Sequence, residues 1–357
     1  MKKILILPGD GIGKEVTPQG VHLLQAAARE AGLEIAIENA LIGGAALDET
    51  GDPLPAETID QARAADAILF GAIGDPRYDQ APQEKRPGRG LLWLRKNLEL
   101  YANLRPAKVF PGALDASPLK PERIEGVDLM IVRELTGGIY FGEPRGFREE
   151  AGVRLALNTM VYTEPEVERI VRFALELARG RRGRLTSVDK GNALEVGRFW
   201  REIATRVMAE FPEVETDHMY VDNAALQIIR DPRRFDTLVM GNLFGDILSD
   251  AAGNLSGSLG MLPSASIGKR HALYEPCHGS APDIAGKDQA NPIASILSVG
   301  MMFRYSFGQP GIDEKIHAVV DRVLADFRTA DMMAPGKTLV GCAEMGARML
   351  EAFEAAA

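Results

Sequence analysis

The sequence predicts an α/β fold in which a large, mixed and mostly parallel twisted sheet is shared by two domains. Short apolar segments alternate with amphipathic segments of helical period, and this alternation is typical of βαβ units. A chain of 357 residues, 46% apolar and 25% charged, is long enough for roughly two domains with a substantial core. Because no linker rich in Pro, Gly or Ser divides the chain, we expect the domains to be intertwined in sequence.

The N-terminal third begins the alternation. An apolar run ends at Pro8 in a glycine-rich turn, and a helical pattern closed by Gly32 follows it. Pro55 suits the first turn of another helix. The predicted strands are 2–8, 33–40 and 67–74, and the predicted helices are 14–32, 54–66 and 90–104.

The alternation continues beyond residue 125 with one interruption. Thr163 and Glu166 form a capping-box pattern that predicts the start of a helix. The segment 138–163 is glycine-rich and strand-prone without a clear helix, so we expect a hairpin or an arm. The predicted strands are 126–134, 184–190, 216–222 and 235–241, the predicted helices are 163–180 and 194–211, and the last third is largely helical.

Charge and cysteine content restrict the function. A net charge of −9 argues against nucleic acid or an anionic membrane surface as a partner, but not against a small anionic substrate. The two cysteines form no CxxC pair, which is typical of a reducing cytoplasm. The apolar run that stops at Pro8 is too short for a signal peptide, and 289–303 is too short for a membrane span.

The glycine-rich turn is a poor match to a dinucleotide-binding fingerprint. Gly9 and Gly11 fit the G-x-G-x-x-G pattern, but Lys14 occupies the position of the third glycine. No acidic residue stands out at the end of a second strand about twenty residues further on. A Rossmann site is therefore disfavoured, and the segment is either a plain tight turn or a cofactor contact of another kind.

Asp246 and Asp250 lie four residues apart in an otherwise apolar helical segment that begins at Asn242. At this spacing like charges share one helix face and repel each other. Asp222, at the end of a predicted strand, is a third carboxylate with no His or Cys pattern nearby. Such oxygen ligands suit Mg²⁺ or Mn²⁺. The alternative is a plain helix capped by Asn242, and spacing alone leaves both interpretations open.

Several cationic side chains are candidates for binding an acidic ligand. Arg133 and Lys190 end predicted strands, where open α/β sheets bind ligands. Arg95 lies on a predicted helix, and Arg105 precedes a proline. Arginine is the usual clamp for carboxylates because its planar fork donates two parallel hydrogen bonds.

Residues 275–292 are rich in Gly, Ser, Pro and Asp and follow neither a helical nor a strand pattern. Loops of this composition often approach a ligand through backbone N–H groups. Cys277 and His278 are adjacent, which disfavours a shared zinc ion. The loop is therefore a candidate for ligand contact rather than for metal binding.

Taken in order, these segments resemble a known family. The motifs that carry the resemblance run nearly end to end: LPGDGIG, GLLWLRK, ANLRPAKV, RELTGGIYFGEPRG, TSVDKGNALEVGRFWRE, YVDNAALQIIRDP, GNLFGDILSDAAGNLSGSLGMLPSA and EPCHGSAPDIAGKDQANPIASILS. They are similar to the metal-dependent β-decarboxylating dehydrogenases, the family of isocitrate and isopropylmalate dehydrogenases. The stretch TGGIYFGEPR points to the isopropylmalate branch.

The resemblance implies an activity and a location. It implies NAD-dependent oxidative decarboxylation of (2R,3S)-3-isopropylmalate to 4-methyl-2-oxopentanoate and CO₂, in leucine biosynthesis and in the cytoplasm. Lys190, with Asp222, would remove the hydroxyl proton as hydride leaves C2 for NAD. Tyr140 would protonate C3 after CO₂ is lost, and a divalent cation would act as Lewis acid and template.

The resemblance also assigns binding residues. Asp246 and Asp250 correspond to the Mg²⁺ or Mn²⁺ ligands of one subunit, and Asp222 corresponds to the ligand from the other. Asp283 corresponds to the acid that binds the adenosine ribose and favours NAD over NADP. The substrate would contact Leu91, Arg95, Arg105, Arg133 and Asp222, and the cofactor would contact Ile12, Asp75, Glu275, His278, Gly279, Ser280, Ala281, Asp283 and Asn291.

For the architecture, the resemblance implies a homodimer with shared active sites and a sheet that is not a Rossmann fold. A discontinuous cofactor-binding domain would comprise 1–103 and 257–357. A domain for substrate, metal and dimerisation would comprise 104–256, with the arm at 138–163.

Two departures from the family pattern concern the substrate. Gly88 stands where members usually carry glutamate, and Ala193 stands where many carry valine. Both changes remove volume near the alkyl pocket of the family, so a bulkier 3-substituted malate is an alternative substrate. Homoisocitrate or tartrate is another alternative, although Leu91 and Leu92 disfavour an additional carboxylate. A binding or structural protein that has lost the activity is disfavoured by the complete set of site residues.

Overall fold

The computed structural model describes residues 1–356, which divide into two compact units. The first unit comprises Met1–Leu100, Lys108–Gly126 and the chain from Gly253 onward. The second unit comprises Tyr101–Ala107 and Val127–Ala252. No helix among these residues has the length and apolar character that a membrane crossing needs.

Strands and helices alternate along the chain. The strands are β1 Lys2–Gly9, β2 Ile35–Asn39, β3 Ala67–Ala72, β4 Ala102–Lys108, β5 Asp128–Glu134, β6 Gly146–Glu150, β7 Val153–Leu157, β8 Arg184–Asp189, β9 Glu215–Tyr220, β10 Thr237–Met240, β11 Pro263–Ile267, β12 Ala272–Pro276, β13 Phe327–Arg328 and β14 Thr338–Leu339. The helices are α1 Gly13–Glu30, α2 Gly44–Thr50, α3 Ala56–Ala64, α4 Gly88–Asn97, α5 Pro121–Ile124, α6 Glu164–Arg179, α7 Glu195–Met208, α8 Val221–Arg230, α9 Asn242–Ser256, α10 Ile293–Ser306, α11 Pro310–Leu324 and α12 Cys342–Ala355.

In the first unit the strand order is β2-β1-β3-β12-β11. All neighbours pair in parallel except β11 and β12, which are antiparallel. Residues Ile4–Leu7 of β1 and Ile293–Phe303 of α10 are buried, because an apolar strand and a helix that is apolar on all sides both need cover from neighbours. The mixed pairing confirms the predicted α/β class.

In the second unit the strand order is β4-β5-β10-β8-β9. β10 pairs in parallel with β5 and with β8, and β8 pairs in parallel with β9. Parallel strands end at the same edge of a sheet. That edge therefore carries the residues that end or follow β5, β8 and β10, which include Arg133, Lys190 and Asn242.

The segment 138–163, which interrupts the alternation of strands and helices, contains a hairpin. β6 and β7 pair antiparallel from Gly146 opposite Leu157 to Glu150 opposite Val153. The helix α6 begins after Thr163 with the capping box that the sequence predicts, because Thr163 N–H and the Glu166 carboxylate are 2.7 Å apart and hydrogen-bonded.

The structure corrects three local predictions and adds one helix. The helix predicted over 90–104 ends at Asn97, and Ala102–Lys108 forms the strand β4. Asp222 does not end a strand but lies in the first turn of α8. The short helix α2 at Gly44–Thr50 has too few residues for a recognisable period and was not predicted. Asn242 begins α9, but its side chain binds Arg133 instead of capping the helix.

Candidate active site

Two arginines face the two aspartates of α9. Arg133 Nη1 lies 2.6 Å from Asp246 Oδ1, and Arg105 Nη1 lies 3.0 Å from Asp250 Oδ1 and 3.6 Å from Asp246 Oδ1. The repulsion expected between the aspartates is thereby offset by two guanidinium groups from β4 and β5. The sequence could not show this, because the pairs join residues more than a hundred positions apart.

These four side chains form a charged surface in which the arginines are buried and the aspartates are accessible to solvent. The arginine side chains are 9% and 3% exposed for Arg105 and Arg133, whereas Asp246 and Asp250 are 33% and 58% exposed. Partial burial raises the pKa of Asp250, and the charge of Arg105 opposes that shift. The carboxylates therefore present oxygen atoms to solvent, where a cation or a ligand has access to them.

Tyr140 joins the same group. Its hydroxyl donates to Asp246 Oδ2 over 2.8 Å, and the Arg133 guanidinium lies 5.8 Å from the centre of its ring. Burial, followed by the hydrogen bond to Asp246, raises the pKa of Tyr140. The phenol is thus a proton donor over the whole neutral range.

Polar side chains that the sequence did not indicate as arginine partners hold both arginines in place. Arg105 Nε donates to Asn103 Oδ1 over 2.8 Å, and Arg105 Nη1 donates to Ser249 Oγ over 2.8 Å. Arg133 Nε donates to Asn242 Oδ1 over 2.9 Å. The signal that was available is the presence of an uncharged polar residue within an apolar segment.

Lys190 and Asp222 form a separate pair. Lys190 Nζ lies 2.7 Å from Asp222 Oδ1, and the lysine lowers the pKa of that carboxyl. Within residues 1–356 no three acidic, His or Cys side chains converge as a metal-binding group. Asp222 therefore does not join Asp246 and Asp250 within this chain.

Arg95, the third predicted clamp, lies in the first unit and contacts Glu275. Its Nη2 is 2.9 Å from Glu275 Oε1, and both side chains are largely buried. The Nε–H of Arg95 is buried with no hydrogen-bond partner among residues 1–356. A buried unpaired donor is costly, so this atom fits an anionic ligand that supplies an acceptor.

The two leucines that follow Gly90 differ in exposure. Leu91 is 9% exposed, whereas Leu92 is 47% exposed and lines a cavity of about 510 Å³ together with Gly88. A Cβ atom added at Gly88 would meet no atom within 4 Å. Leu92 therefore faces open space, whereas Leu91, which was predicted to contact substrate, packs into the core.

The glycine-rich turn binds the 275–292 loop directly. Ile12 N–H donates to Ser280 O over 2.8 Å, and Ala281 packs against the apolar cluster that contains Ile12. A Cβ atom at Gly11 would lie 2.0 Å from Ser280 O, so only glycine permits this approach. The segment thus brings together two groups of predicted cofactor residues.

The remaining predicted cofactor residues differ in what they contact. His278 Nε2 is buried and has no partner among residues 1–356, and burial lowers the pKa of this histidine. Asn291 donates to Asp331, whereas Asp75 accepts from Arg77. Asp283 is exposed, and Gly279 leaves space for a ligand because a Cβ atom there would meet nothing within 4 Å.

Comparisons with known proteins identify the family. The family model described as isocitrate/isopropylmalate dehydrogenase matches residues 3–349. A 3-isopropylmalate dehydrogenase of Synechococcus sp. (strain JA-2-3B'a(2-13)) is 56% identical over 98% of this chain and 95% of its own length. A 3-isopropylmalate dehydrogenase of Chromohalobacter salexigens is 56% identical over 99% of both chains.

The fold has a similar solved structure. The crystal structure of an isocitrate dehydrogenase from Methylococcus capsulatus superposes with a TM-score of 0.88, covers 99% of both chains and is 35% identical in sequence. At this identity and coverage, the similarity concerns the whole chain and not a single motif.

Proposed function

The chain belongs to the isocitrate/isopropylmalate dehydrogenase family, and from this premise we propose that it catalyses the NAD-dependent oxidative decarboxylation of 3-isopropylmalate. The reaction yields 4-methyl-2-oxopentanoate and CO₂ and belongs to leucine biosynthesis. The observation that carries the proposal is the convergence of Arg105 and Arg133 with Asp246, Asp250 and Tyr140.

Arginines bind the substrate in this proposal. The two carboxylates of a malate need cationic partners, and Arg105 and Arg133 are already fixed by Asn103 and Asn242. Fixed guanidinium groups lose little entropy when they bind a carboxylate. Arg95 is the third proposed carboxylate ligand, because its Nε–H has no partner among residues 1–356 and can donate to an anionic group.

Asp246 and Asp250 would hold a divalent cation. Two adjacent, partly exposed carboxylates without His or Cys neighbours are the donor set that Mg²⁺ or Mn²⁺ prefers. When bound, the cation supplies Lewis acidity at the substrate oxygens. Asp222 would complete the set from a second subunit, because it does not reach the pair within its own chain.

Two side chains would move protons. Lys190, in contact with Asp222, would take the C2 hydroxyl proton when hydride leaves C2. Tyr140, which stays protonated because burial raises its pKa, would deliver a proton to C3 after CO₂ departs. The hydrogen bond to Asp246 holds the phenol beside the carboxylate surface.

The dinucleotide would bind to the first unit, which serves as the cofactor-binding domain, and the second unit would bind substrate and metal. Ile12 is hydrogen-bonded to Ser280, and the neighbouring Gly279 leaves space in which the dinucleotide would bind. The buried unpaired Nε2 of His278 fits a polar group of a ligand. The exposed carboxylate of Asp283 would bind the ribose hydroxyls of NAD and repel the 2′-phosphate of NADP.

The protein acts as a homodimer in this proposal. Asp222, Leu226 and Ile229 lie at helical spacing on one face of α8, and both apolar residues are exposed. Ile247 of α9 and Phe147 of the hairpin are also exposed. A second copy that covers these apolar side chains would bring its Asp222 to the site.

We place the enzyme in the cytoplasm. Cys277 and Cys342 form no disulfide in the structure, and cysteines outside disulfides are typical of a reducing compartment. The substrate is a small molecule, and the net charge of −9 does not favour nucleic acid as a partner.

The test is a spectrophotometric assay of the purified protein. NADH should form when (2R,3S)-3-isopropylmalate, NAD⁺ and Mg²⁺ are all present, and the rate should collapse when any one is omitted. Replacement of NAD⁺ by NADP⁺ should give a much lower rate. Absence of NADH formation under all metal conditions would refute the proposed function.

A bulkier 3-alkylmalate is the second candidate substrate. The glycine at position 88 leaves open space, because a Cβ atom there would meet nothing within 4 Å, and this space would accept a substituent larger than isopropyl. Rates on 3-isopropylmalate and on a longer 3-alkylmalate distinguish the two, and a Gly88→Glu variant should lose the longer substrate first. A strong preference of the natural chain for isopropyl would exclude this candidate.

A further inference from the structure

We propose that Asn242 is a positioning residue which, with Gly245, forms a seat for Arg133 and couples it to the backbone that leads to Tyr140. The proposal rests on the proposed function, since it concerns two groups assigned to substrate binding and proton transfer. It is carried by the contacts of one buried carboxamide and one glycine in the first turns of α9.

The carboxamide oxygen of Asn242 fixes the arginine. Arg133 Nε and Nη2 donate to Oδ1 over 2.9 and 2.8 Å. The remaining nitrogen, Nη1, reaches Asp246 Oδ1 over 2.6 Å. Asn242 and Asp246 lie four residues apart on one helix face, so the guanidinium lies along the first turn of α9 with all three nitrogens engaged.

Gly245 leaves the space that the aliphatic part of the Arg133 side chain occupies. A Cβ atom built on Gly245 would lie 2.6 Å from both Cβ and Cγ of Arg133. Any larger residue would push the stem away from the helix. The pattern N-x-x-G-D at Asn242, Gly245 and Asp246 is therefore the sequence signature of the seat.

The carboxamide nitrogen of Asn242 holds a second element. Nδ2 donates to Leu135 O and to Gly137 O, both over 3.1 Å. The turn Gly138–Tyr140 follows directly. From another side, Glu134 Oε2 accepts from Gly137 N–H over 2.7 Å. The loop that carries Tyr140 is thus held between two buried side chains.

Only asparagine meets both demands. Asn242 is 1% exposed, its oxygen accepts two hydrogen bonds and its nitrogen donates two. This uses the donor and acceptor capacity of the group. Aspartate would keep the acceptor for Arg133 but would direct a carboxylate oxygen at two carbonyl oxygens. Alanine would remove both functions.

The two substitutions therefore separate the two roles. In Asn242→Asp we expect kcat to fall roughly 10- to 100-fold, because a displacement near 1 Å has an effect of this order, while the KM for 3-isopropylmalate changes little. In Asn242→Ala we expect kcat to fall and that KM to rise as well. The matched control is Asn97→Asp, whose side chain makes one exposed hydrogen bond to Trp93 O and which should behave as the natural protein.

Active-site titration and thermal unfolding of each variant complete the experiment. If Asn242→Asp keeps the natural kcat, or if both variants lose only active protein at unchanged kcat and KM, the proposal is overturned. Should Asn242→Asp fail to fold, Gly245→Ala replaces it, and an unchanged KM for 3-isopropylmalate in that variant overturns the seat.

A structural readout separates this proposal from the proposed function. Inactivity of the natural protein on 3-isopropylmalate would refute the function alone. Crystal structures of the natural chain and of Asn242→Ala test the positioning role independently of activity. We expect residues 135–140 and the Arg133 guanidinium to move relative to α9 in the variant, and an unmoved loop and arginine would overturn the proposal.

Discussion

Arg133 Nη1 lies 2.6 Å from Asp246 Oδ1, and the arginine comes from β5 whereas the aspartate comes from α9. The pair explains how an apolar helix tolerates two like charges four residues apart. In the proposed function, a substrate carboxylate takes part of the hydrogen-bonding capacity of Arg133, and Asp246 gains a cation in exchange for part of its contact with this arginine.

Removal of divalent metal should therefore stop turnover. Chelation should abolish NADH formation, and Mg²⁺ or Mn²⁺ should restore it. Asp246→Asn and Asp250→Asn should each lower kcat/KM by at least about 100-fold, since a Lewis-acid cation supplies several kcal/mol. The control is Asp60→Asn, whose carboxyl group is exposed on α3. Full activity after exhaustive chelation would contradict the cation site.

The planar donor geometry of Arg105 and Arg133 should contribute more to substrate binding than their positive charge does. Arg105→Lys and Arg133→Lys keep the charge but lose the planar donor pair. Because a hydrogen bond to a charged group contributes about 1.5–3 kcal/mol, we expect the KM for 3-isopropylmalate to rise roughly 10- to 100-fold. The control is Arg172→Lys, because Arg172 forms an exposed ion pair with Glu210. Unchanged KM values would show that neither arginine contacts the substrate.

Tyr140→Phe should lower kcat more than it raises KM. It removes the proton donor and the hydrogen bond to Asp246 but keeps the ring near Arg133. General acid catalysis contributes about 10²- to 10⁴-fold, and we expect a loss of kcat within this range. Steady-state kinetics check it, and a natural kcat in the variant would assign the proton to another group.

Glu134 should contribute to the stability of the fold as well as to the position of the loop that carries Tyr140. It is fully buried and accepts from Thr136 Oγ1 and Gly137 N–H, each over 2.7 Å. Glu134→Ala leaves these donors unpaired, which should lower the free energy of unfolding by about 1–3 kcal/mol. Denaturant titration measures the change. Glu149→Gln on the exposed hairpin strand should cost nothing measurable, and an equal loss in both variants would contradict the argument.

The sequence predicted the fold class and the family, and both are confirmed. Alternation of apolar and amphipathic segments is a local property, so it can be detected without knowledge of tertiary contacts. The capping box at Thr163 is equally local and is present. The order of the motifs along the chain indicated the family, because each motif has its own residues and spacing.

Contacts between distant segments could not be predicted from the residues alone. Asn242 was expected to cap a helix, but the fold brings Arg133 to it across 109 residues. The exposure of Leu91 and Leu92 depends on how α4 packs, which a short helical pattern does not fix. Likewise the pair of Arg95 with Glu275 joins residues 180 positions apart. Side-chain amides have several possible partners, and tertiary structure selects among them.

The proposed sharing of sites between subunits can be tested by complementation. Asp222→Asn and Asp246→Asn homodimers should both be inactive. In a hybrid dimer, one site combines the intact Asp246 of one chain with the intact Asp222 of the other, and the second site carries both substitutions. Random pairing makes half of the dimers hybrid, so co-expression should restore about a quarter of the natural activity.

The control for complementation pairs Asp222→Asn with Lys190→Met. Lys190 and Asp222 are 2.7 Å apart in one chain, so both belong to the same half of a site. Hybrids of these two variants contain no intact site, and co-expression should restore nothing. If the first pair also restores no activity although hybrid dimers are isolated by differential tagging, Asp222 acts within its own chain and the shared site is wrong. If both pairs restore activity, Lys190 and Asp222 serve different sites, and the proton-transfer pair has to be reassigned.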